Sequence, residues 1–169
     1  MEGFRRISAV ELESAMKLIG DDWMLITVKD EESGRANAMT ASWGALGVLW
    51  HKDVCICYVR PQRHTHKLLR EQQRFSVAFL PEEYRDALKL CGTKSGRDTD
   101  KLSECGLHTV ELDGVPMIEE ARILLVCKKL YEDELKEECF LESEVMATYK
   151  AKDYHTFYIC EIEEVYERI

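Results

Sequence analysis

The chain has 169 residues, 46% of them hydrophobic and 33% charged, with 3 prolines and 9 glycines; this balance predicts one ordered domain over residues 1–169 and excludes a disordered chain. A formal net charge of −9 excludes a general binder of nucleic acid or anionic membrane, because phosphate-dominated binding needs a basic surface. The apolar runs Ile123–Cys127 and Val54–Val59 are too short to cross a bilayer, and Glu11 and Glu13 interrupt any leader-like stretch after Arg5 and Arg6, so a cytoplasmic protein is expected.

In chain order, Ser8 with Glu11 three residues on forms a capping box, and Val10, Leu12, Ala15, Met16 and Ile19 mark one face of a first helix that ends before Gly20. Trp23 to Lys29 reads as a strand, Asp30 to Arg35 as a polar turn, and Ala36 to Ser42 as the returning strand of a hairpin. Val54 to Val59 is apolar on both alternating faces, which predicts a strand covered on both sides, with a second subunit as one possible outer cover. A helix is expected to begin near Thr65, followed by a strand in which Phe75, Val77 and Phe79 alternate with Ser76 and Ala78.

Pro81, with Glu82 and Glu83 behind it, opens a helix whose buried stripe is Tyr84, Ala87, Leu88 and Cys91 and which stops at Gly92. A short helix capped by Asp98 runs to Gly106, and Asp113-Gly114-Val115-Pro116 makes a turn. The last strands are Ala121 to Tyr131 and His155 to Tyr166, with the charged run Glu132 to Glu138 as a solvated stretch. Several strands without regular strand–helix alternation predict a mainly β fold, a mainly antiparallel barrel with a few short peripheral helices.

Four places could carry chemistry. Residues 60–70 hold Arg60, Arg63, Lys67 and Arg70 without an acidic residue, where a strand ends and a helix begins. Guanidinium groups, free helix N–H groups and the helix dipole would there converge on a phosphate; the alternative is a surface loop paired with the abundant carboxylates. Asn37, Met39, Thr40, Ala41, Ser42 and Trp43 form a small-residue strand that lets a flat, polar-edged ring approach the backbone, or simply an ordinary strand. Ser95, Gly96, Arg97, Asp98 and Lys101 read equally as a capped connection or as cations and amides offered to a ligand, and His155 as a structural or a catalytic histidine. The seven cysteines have no C-x-x-C pair and no metal-ligand spacing, so they are read as reduced core residues and no metal is expected. No nucleophile elbow, dinucleotide fingerprint or P-loop is present.

Taken in order, Leu18–Trp23, Asn37–Gly44, Val59–Thr65, Phe75–Val77, Ser95–Asp98 with Asp100-Lys101, and His155-Thr156 resemble the flavin-reductase-like FMN-binding split-barrel family, in particular its flavoredoxin-like branch. The resemblance implies a six-stranded Greek-key split barrel and a homodimer with one FMN near each subunit interface. It would set Asn37 and Met39 to Trp43 along the isoalloxazine and ribityl chain, and Arg60, Arg63, His64 and Thr65 on the phosphate. Ser95, Gly96, Arg97, Asp98 and Lys101 would form a second wall, with Lys101 or Arg97 as candidate cations near flavin N1. His155 would lie near the flavin or the nicotinamide, although Asp153-Tyr154-His155-Thr156 stands where many members have Gly-Asp-His-Thr, and His64 stands where Tyr is common. The implied activity is an NAD(P)H-dependent flavin reductase moving hydride from NADH or NADPH to flavin N5. The competing readings are an electron-transfer flavoprotein serving a redox protein partner, and a non-catalytic barrel that has lost its cofactor.

Overall fold

A computed structural model describes residues 2–169. Among these residues the strands are β1 (Phe4–Ile7), β2 (Met24–Asp30), β3 (Arg35–Ala41), β4 (Gly44–Leu49), β5 (Lys52–Val59), β6 (Arg74–Phe79), β7 (Thr109–Leu112), β8 (Val115–Ile118), β9 (Ile123–Glu134) and β10 (Thr156–Arg168). The α-helices are α1 (His64–Glu71), α2 (Arg85–Thr93), α3 (Lys101–Glu104) and α4 (Ser143–Met146). Eight strands form one sheet in the order β3-β2-β6-β9-β10-β5-β4, with β1 added to β10, and all its pairings are antiparallel.

The two ends of that order, β3 and β4, are consecutive in the chain and separated by Ser42 and Trp43 alone. So short a link obliges the sheet to curl until its edges meet, which makes a barrel split at one seam. The mainly β split barrel with short peripheral helices is therefore the fold, with strands beyond the six expected. β1 and β4 had no alternating pattern to announce them, and of the β7–β8 hairpin only the Asp113-Gly114 turn was expected; β4 carries Gly44 and Gly47 and is exposed over much of its length. Asp113 and Gly114, with φ of 48° and 80°, provide the left-handed turn that the β7–β8 hairpin needs.

Inside the barrel, Met24, Ile26, Val28, Met39, Cys55, Cys57, Val59, Phe75, Val77, Phe79, Leu125, Cys127, Tyr158 and Cys160 form one core. A second core lies outside the sheet, where Leu25, Ala78, Leu124 and Val126 meet Leu88 and Cys91 of α2, Leu102 of α3 and Met117 of β8. These two cores explain why β2, β6 and the first half of β9, Ile123 to Cys127, are buried on both faces. The cysteines are all free thiols, most of them buried as small apolar residues. No helix among the described residues is long and apolar enough to cross a membrane.

Three local expectations are corrected. The Ser8–Glu11 capping box exists, with Ser8 N donating to Glu11 Oε2 at 2.8 Å, but it closes only a 3₁₀ turn, Ala9–Glu11. A wide π-type helix, Met16–Asp22, follows separately and leaves Val10 and Met16 85% and 82% exposed. Its neighbouring residues Leu18 and Ile19 both enter the core, a demand that the expected helical stripe did not meet. Helix α2 continues through Gly92 to Thr93, after a 3₁₀ turn at Glu82–Tyr84. The cap of α3 is Asp100, not Asp98: its carboxylate accepts from Ser103 N at 3.2 Å, while Asp98 N is used in a turn back to Ser95 O at 3.2 Å.

Candidate functional site

The basic corner forms because β5 runs out at Val59 and the chain turns through Arg60–Arg63, with Arg63 N donating to Arg60 O at 3.1 Å, before α1 starts. Arg63 occupies the N-cap position and no side chain caps the first turn of α1, where His66 N donates to Arg63 O at 3.0 Å. Opposite it stands the C-terminal end of α2. Arg63 donates to Gly92 O at 2.6 Å and Cys91 O at 3.2 Å, and Lys101 Nζ, on the first residue of α3, donates to Cys91 O at 3.4 Å. The connection 94–100 is thereby drawn beside the corner, all within one chain.

A hollow of ≈ 70 Å³ results, walled by Arg63, His64, Thr65, Thr93, Lys94, Ser95, Gly96 and Lys101. Its electrostatics are unusual for so acidic a protein. Lys101 is 4% exposed, and among the described residues neither Lys101 nor Arg63 pairs with a carboxylate. Burial lowers the pKa of both, and the neighbouring Arg63 charge adds to the effect on Lys101. Burial, then Arg97, also lowers that of His64, whose Nδ1 is buried without a partner. One buried and one half-buried cation held only by carbonyl oxygens, together with an orphaned imidazole nitrogen, fit an anionic group with several acceptor oxygens, such as a phosphate.

Behind the wall of the hollow, Asn37 of β3 donates from Nδ2 to Thr65 Oγ1 at 2.8 Å. Gly96 packs directly on that amide: a Cβ at position 96 would fall 1.9 Å from Asn37 Oδ1. Asn37 thus orients Thr65 from behind. Arg97 and Asp98 are exposed and line neither this hollow nor the groove next to it.

That groove, ≈ 270 Å³, joins the hollow at Arg63 and is lined by Met39, Thr40, Ala41, Ser42 and Trp43 on one side and Tyr58, Arg60 and His155 on the other. It lies along the seam where β3 turns into β4. Thr40 is already engaged, donating to Leu88 O at 2.6 Å. Trp43 is 47% exposed, its ring 5.0 Å from that of His155 at 47°. Arg60, expected beside Arg63, instead turns to the groove side, ion-paired with Asp153, which also accepts from Gln62 at 2.8 Å. His155 is 7% exposed, and burial, aided by Arg60, lowers its pKa to about 4, so the imidazole is neutral at pH 7. Its Nδ1 lies 2.8 Å from the Tyr149 hydroxyl.

The structure therefore gathers Asn37, Arg63, His64, Thr65, Ser95, Gly96 and Lys101 at one end and Met39 to Trp43, Arg60 and His155 along the groove. Sequence reasoning missed Tyr58, Tyr149 and Asp153. Tyr58 had a signal in the outward register of β5; Tyr149 and Asp153 lie in a stretch without periodicity. A larger hollow, ≈ 630 Å³, lies by β7 and α3, where Lys29 pairs with Glu111, Arg35 with Asp100, and His108 with Glu120 just outside the lining.

A family model described as flavin reductase like domain matches residues 16–168. The chain is 29% identical over 118 residues to the uncharacterized protein YddH of Escherichia coli, covering 68% of this chain and 62% of that protein. It spans less than two thirds of the length of the curated relatives it matches, 62% and 44%. Among solved structures, an FMN-binding domain of a flavin reductases-like enzyme from Shewanella baltica superposes with a TM-score of 0.71 at 16% identity, covering 98% of this chain and 77% of that one. The flavoredoxin of Desulfovibrio vulgaris superposes with a TM-score of 0.67 at 18% identity, covering 94% and 75%.

Proposed function

The chain belongs to the flavin reductase like domain family, and on that premise we propose that this flavin-related oxidoreductase binds FMN and reduces it with NADH or NADPH. The observation that carries the reading is the pair of cations without a carboxylate, half-buried Arg63 and buried Lys101, at one end of an aromatic-rimmed groove. Arg63, Lys101, Thr65, His64 and the first turn of α1 would hold the phosphate. Met39 to Trp43 would line the ring, and Gly96 would keep Asn37 in place behind Thr65. FMN supplies, when bound, a ring N5 that accepts a hydride from a nicotinamide.

The protein's own part is to bind, orient and exclude water. Trp43 and Tyr58 shield the groove, and the Arg60–Asp153 pair holds a cation beside it without leaving a free charge. His155 is neutral and holds no proton to release at pH 7 beyond its single ring N–H. No side chain need act as nucleophile or general base.

We further propose a homodimer built on the outer face of β5, β9 and β10. Cys55, Cys57 and Val59 of β5 face the core, which leaves Ile56 and Tyr58 outside, beside Phe157 and Ile159 of β10 and Tyr131 of β9. Tyr58–Phe157 and Tyr131–Phe157 ring centroids are each 6.0 Å apart, a continuous apolar patch that a second copy would cover. The free cysteines support a reducing, cytoplasmic setting.

The test is the absorbance spectrum of the purified protein, followed by anaerobic mixing of its flavin-loaded form with NADH and NADPH. Bleaching of the flavin band by either nucleotide is expected. Flavin that is bound but left oxidised by both would replace the reductase reading with electron exchange with a protein partner, and failure to take up FMN would leave a barrel without cofactor.

A further inference from the structure

The stretch between β9 and β10 returns to the barrel through one side chain. From Leu141 to Lys152 every residue is exposed except Tyr149, which is 6% exposed. Its ring is packed by Phe140 and Tyr154, with centroids at 5.5 and 5.1 Å, and the Arg60 guanidinium lies 5.2 Å from its centroid. The hydroxyl at the tip meets His155 Nδ1 at 2.8 Å and has no other partner among the described residues. A segment of this length that buries one phenol, and spends its hydroxyl on the one histidine in the groove wall, is positioned to direct that histidine.

A phenol donates better than it accepts, and a neutral imidazole has one nitrogen lone pair to receive it. If Nδ1 carried the proton instead, the buried phenolic proton would be left without an acceptor, at the cost of an unmade hydrogen bond. We propose that Tyr149 is a positioning residue that fixes the His155 proton on Nε2, so that His155 presents an N–H donor to a carbonyl-bearing small molecule in the groove. This rests on the reading of that groove as the substrate and cofactor site.

The groups facing His155 agree with this assignment. Tyr58 of β5 stands edge-on at 6.4 Å and Trp43 tilts over it at 5.0 Å. Arg60, at the end of β5, opposes protonation of the ring, while Asp153, which favours it, is spent on the Arg60 and Gln62 side chains. The ring is thus a fixed dipole rather than a cation. It selects an acceptor oxygen, of the kind a carboxamide, aldehyde or ketone offers, over an N–H group.

Long-range ¹⁵N–¹H correlation spectra of the full chain with ¹⁵N-labelled histidine, at pH 7 and without added ligand, test the proposal directly. His155→Gln assigns the signal by its loss. Wild type is expected to show Nδ1 unprotonated and Nε2 protonated. In Tyr149→Phe, which keeps the ring, the Nδ1 signal is expected to move toward a mixture of tautomers, and the KM for a carbonyl-bearing substrate to rise about tenfold with kcat within about twofold, the loss of one hydrogen bond to a neutral group.

A proton on Nδ1 in wild type, an imidazolium at pH 7, or a folded Tyr149→Phe with the wild-type spectrum would each overturn it. Should Tyr149→Phe not fold, the wild-type spectrum still decides the tautomer. The spectra need no flavin and no turnover, so a failure of the FMN reading in the spectrophotometer leaves this result standing on its own.

Discussion

Gly96→Ala is the sharpest perturbation that the geometry offers. The backbone at Gly96 is one that alanine can adopt, so the effect is steric: the added methyl would lie 1.9 Å from Asn37 Oδ1, 3.1 Å from Asn37 Cγ and 3.4 Å from His64 Cδ2. Asn37 is 8% exposed and cannot swing into solvent, and moving it breaks the 2.8 Å bond to Thr65. Overpacking of this kind costs about 1–3 kcal/mol, and an unmade buried hydrogen bond about 1–3 kcal/mol more. A net loss of roughly 2–4 kcal/mol lowers Tm by on the order of 5–15 °C in a domain of this size. Urea unfolding and a thermal melt measure it. The added specificity comes from a double-mutant cycle, because Asn37→Ala removes the atoms the methyl strikes; Gly96→Ala in that background should cost less than in wild type. A Gly96→Ala protein within about 0.5 kcal/mol of wild type, or strict additivity with Asn37→Ala, would refute the close approach as described.

Arg63→Ala and Lys101→Ala should each weaken FMN far more than riboflavin, which lacks the phosphate, in fluorescence titrations; equal losses for both flavins would move the phosphate elsewhere. For His155 the folded pKa of about 4 lies below its ordinary 6.5, so the unfolded chain binds the proton first as pH falls. Stability is then full above pH 6.5 and declines toward pH 4 by on the order of 2–3 kcal/mol; urea midpoints across that range should fall more steeply in wild type than in His155→Gln, and parallel curves would count against it. Ile159→Glu, on the outer face of β10, should shift the sedimentation mass from two copies to one, whereas a wild-type monomer would remove the proposed interface. Asp100→Ala should cost about 1 kcal/mol as a lost helix cap, with Asp98→Ala nearly silent, and the reverse order would restore Asp98 as the cap.

Much of this protein was legible in its order of residues. The hairpin of β2 and β3, the strands β5, β6, β9 and β10, the polar turn at 30–35 and the island of positive charge after β5 all follow from local patterns: period-two alternation, turn residues, and cations without nearby acids. Such signals are local because each strand carries its own inside and outside. Arg63, His64, Thr65, Ser95, Gly96 and Lys101 line one hollow, and Met39 to Trp43 with His155 the groove beside it, while Arg97 and Asp98 stand outside both and Arg60 turns toward Asp153.

The remainder required the folded chain. No pattern in Gly44–Leu49 marks β4, because it is a seam strand with little to bury, and no pattern divides the first helix, because Leu18 and Ile19 are drawn inward by a core assembled from distant strands. Asp98 and Asp100 offer the same cap chemistry two residues apart, and only the turn at Ser95 decides between them. That Arg63 and Lys101 lack carboxylates, and that Tyr149 reaches His155, are likewise facts of proximity. Sequence by itself determined which residues could bind an anion and which strands could make a barrel. The tertiary structure decided which of those charges stayed unpaired, because pairing depends on distances between segments far apart in the chain.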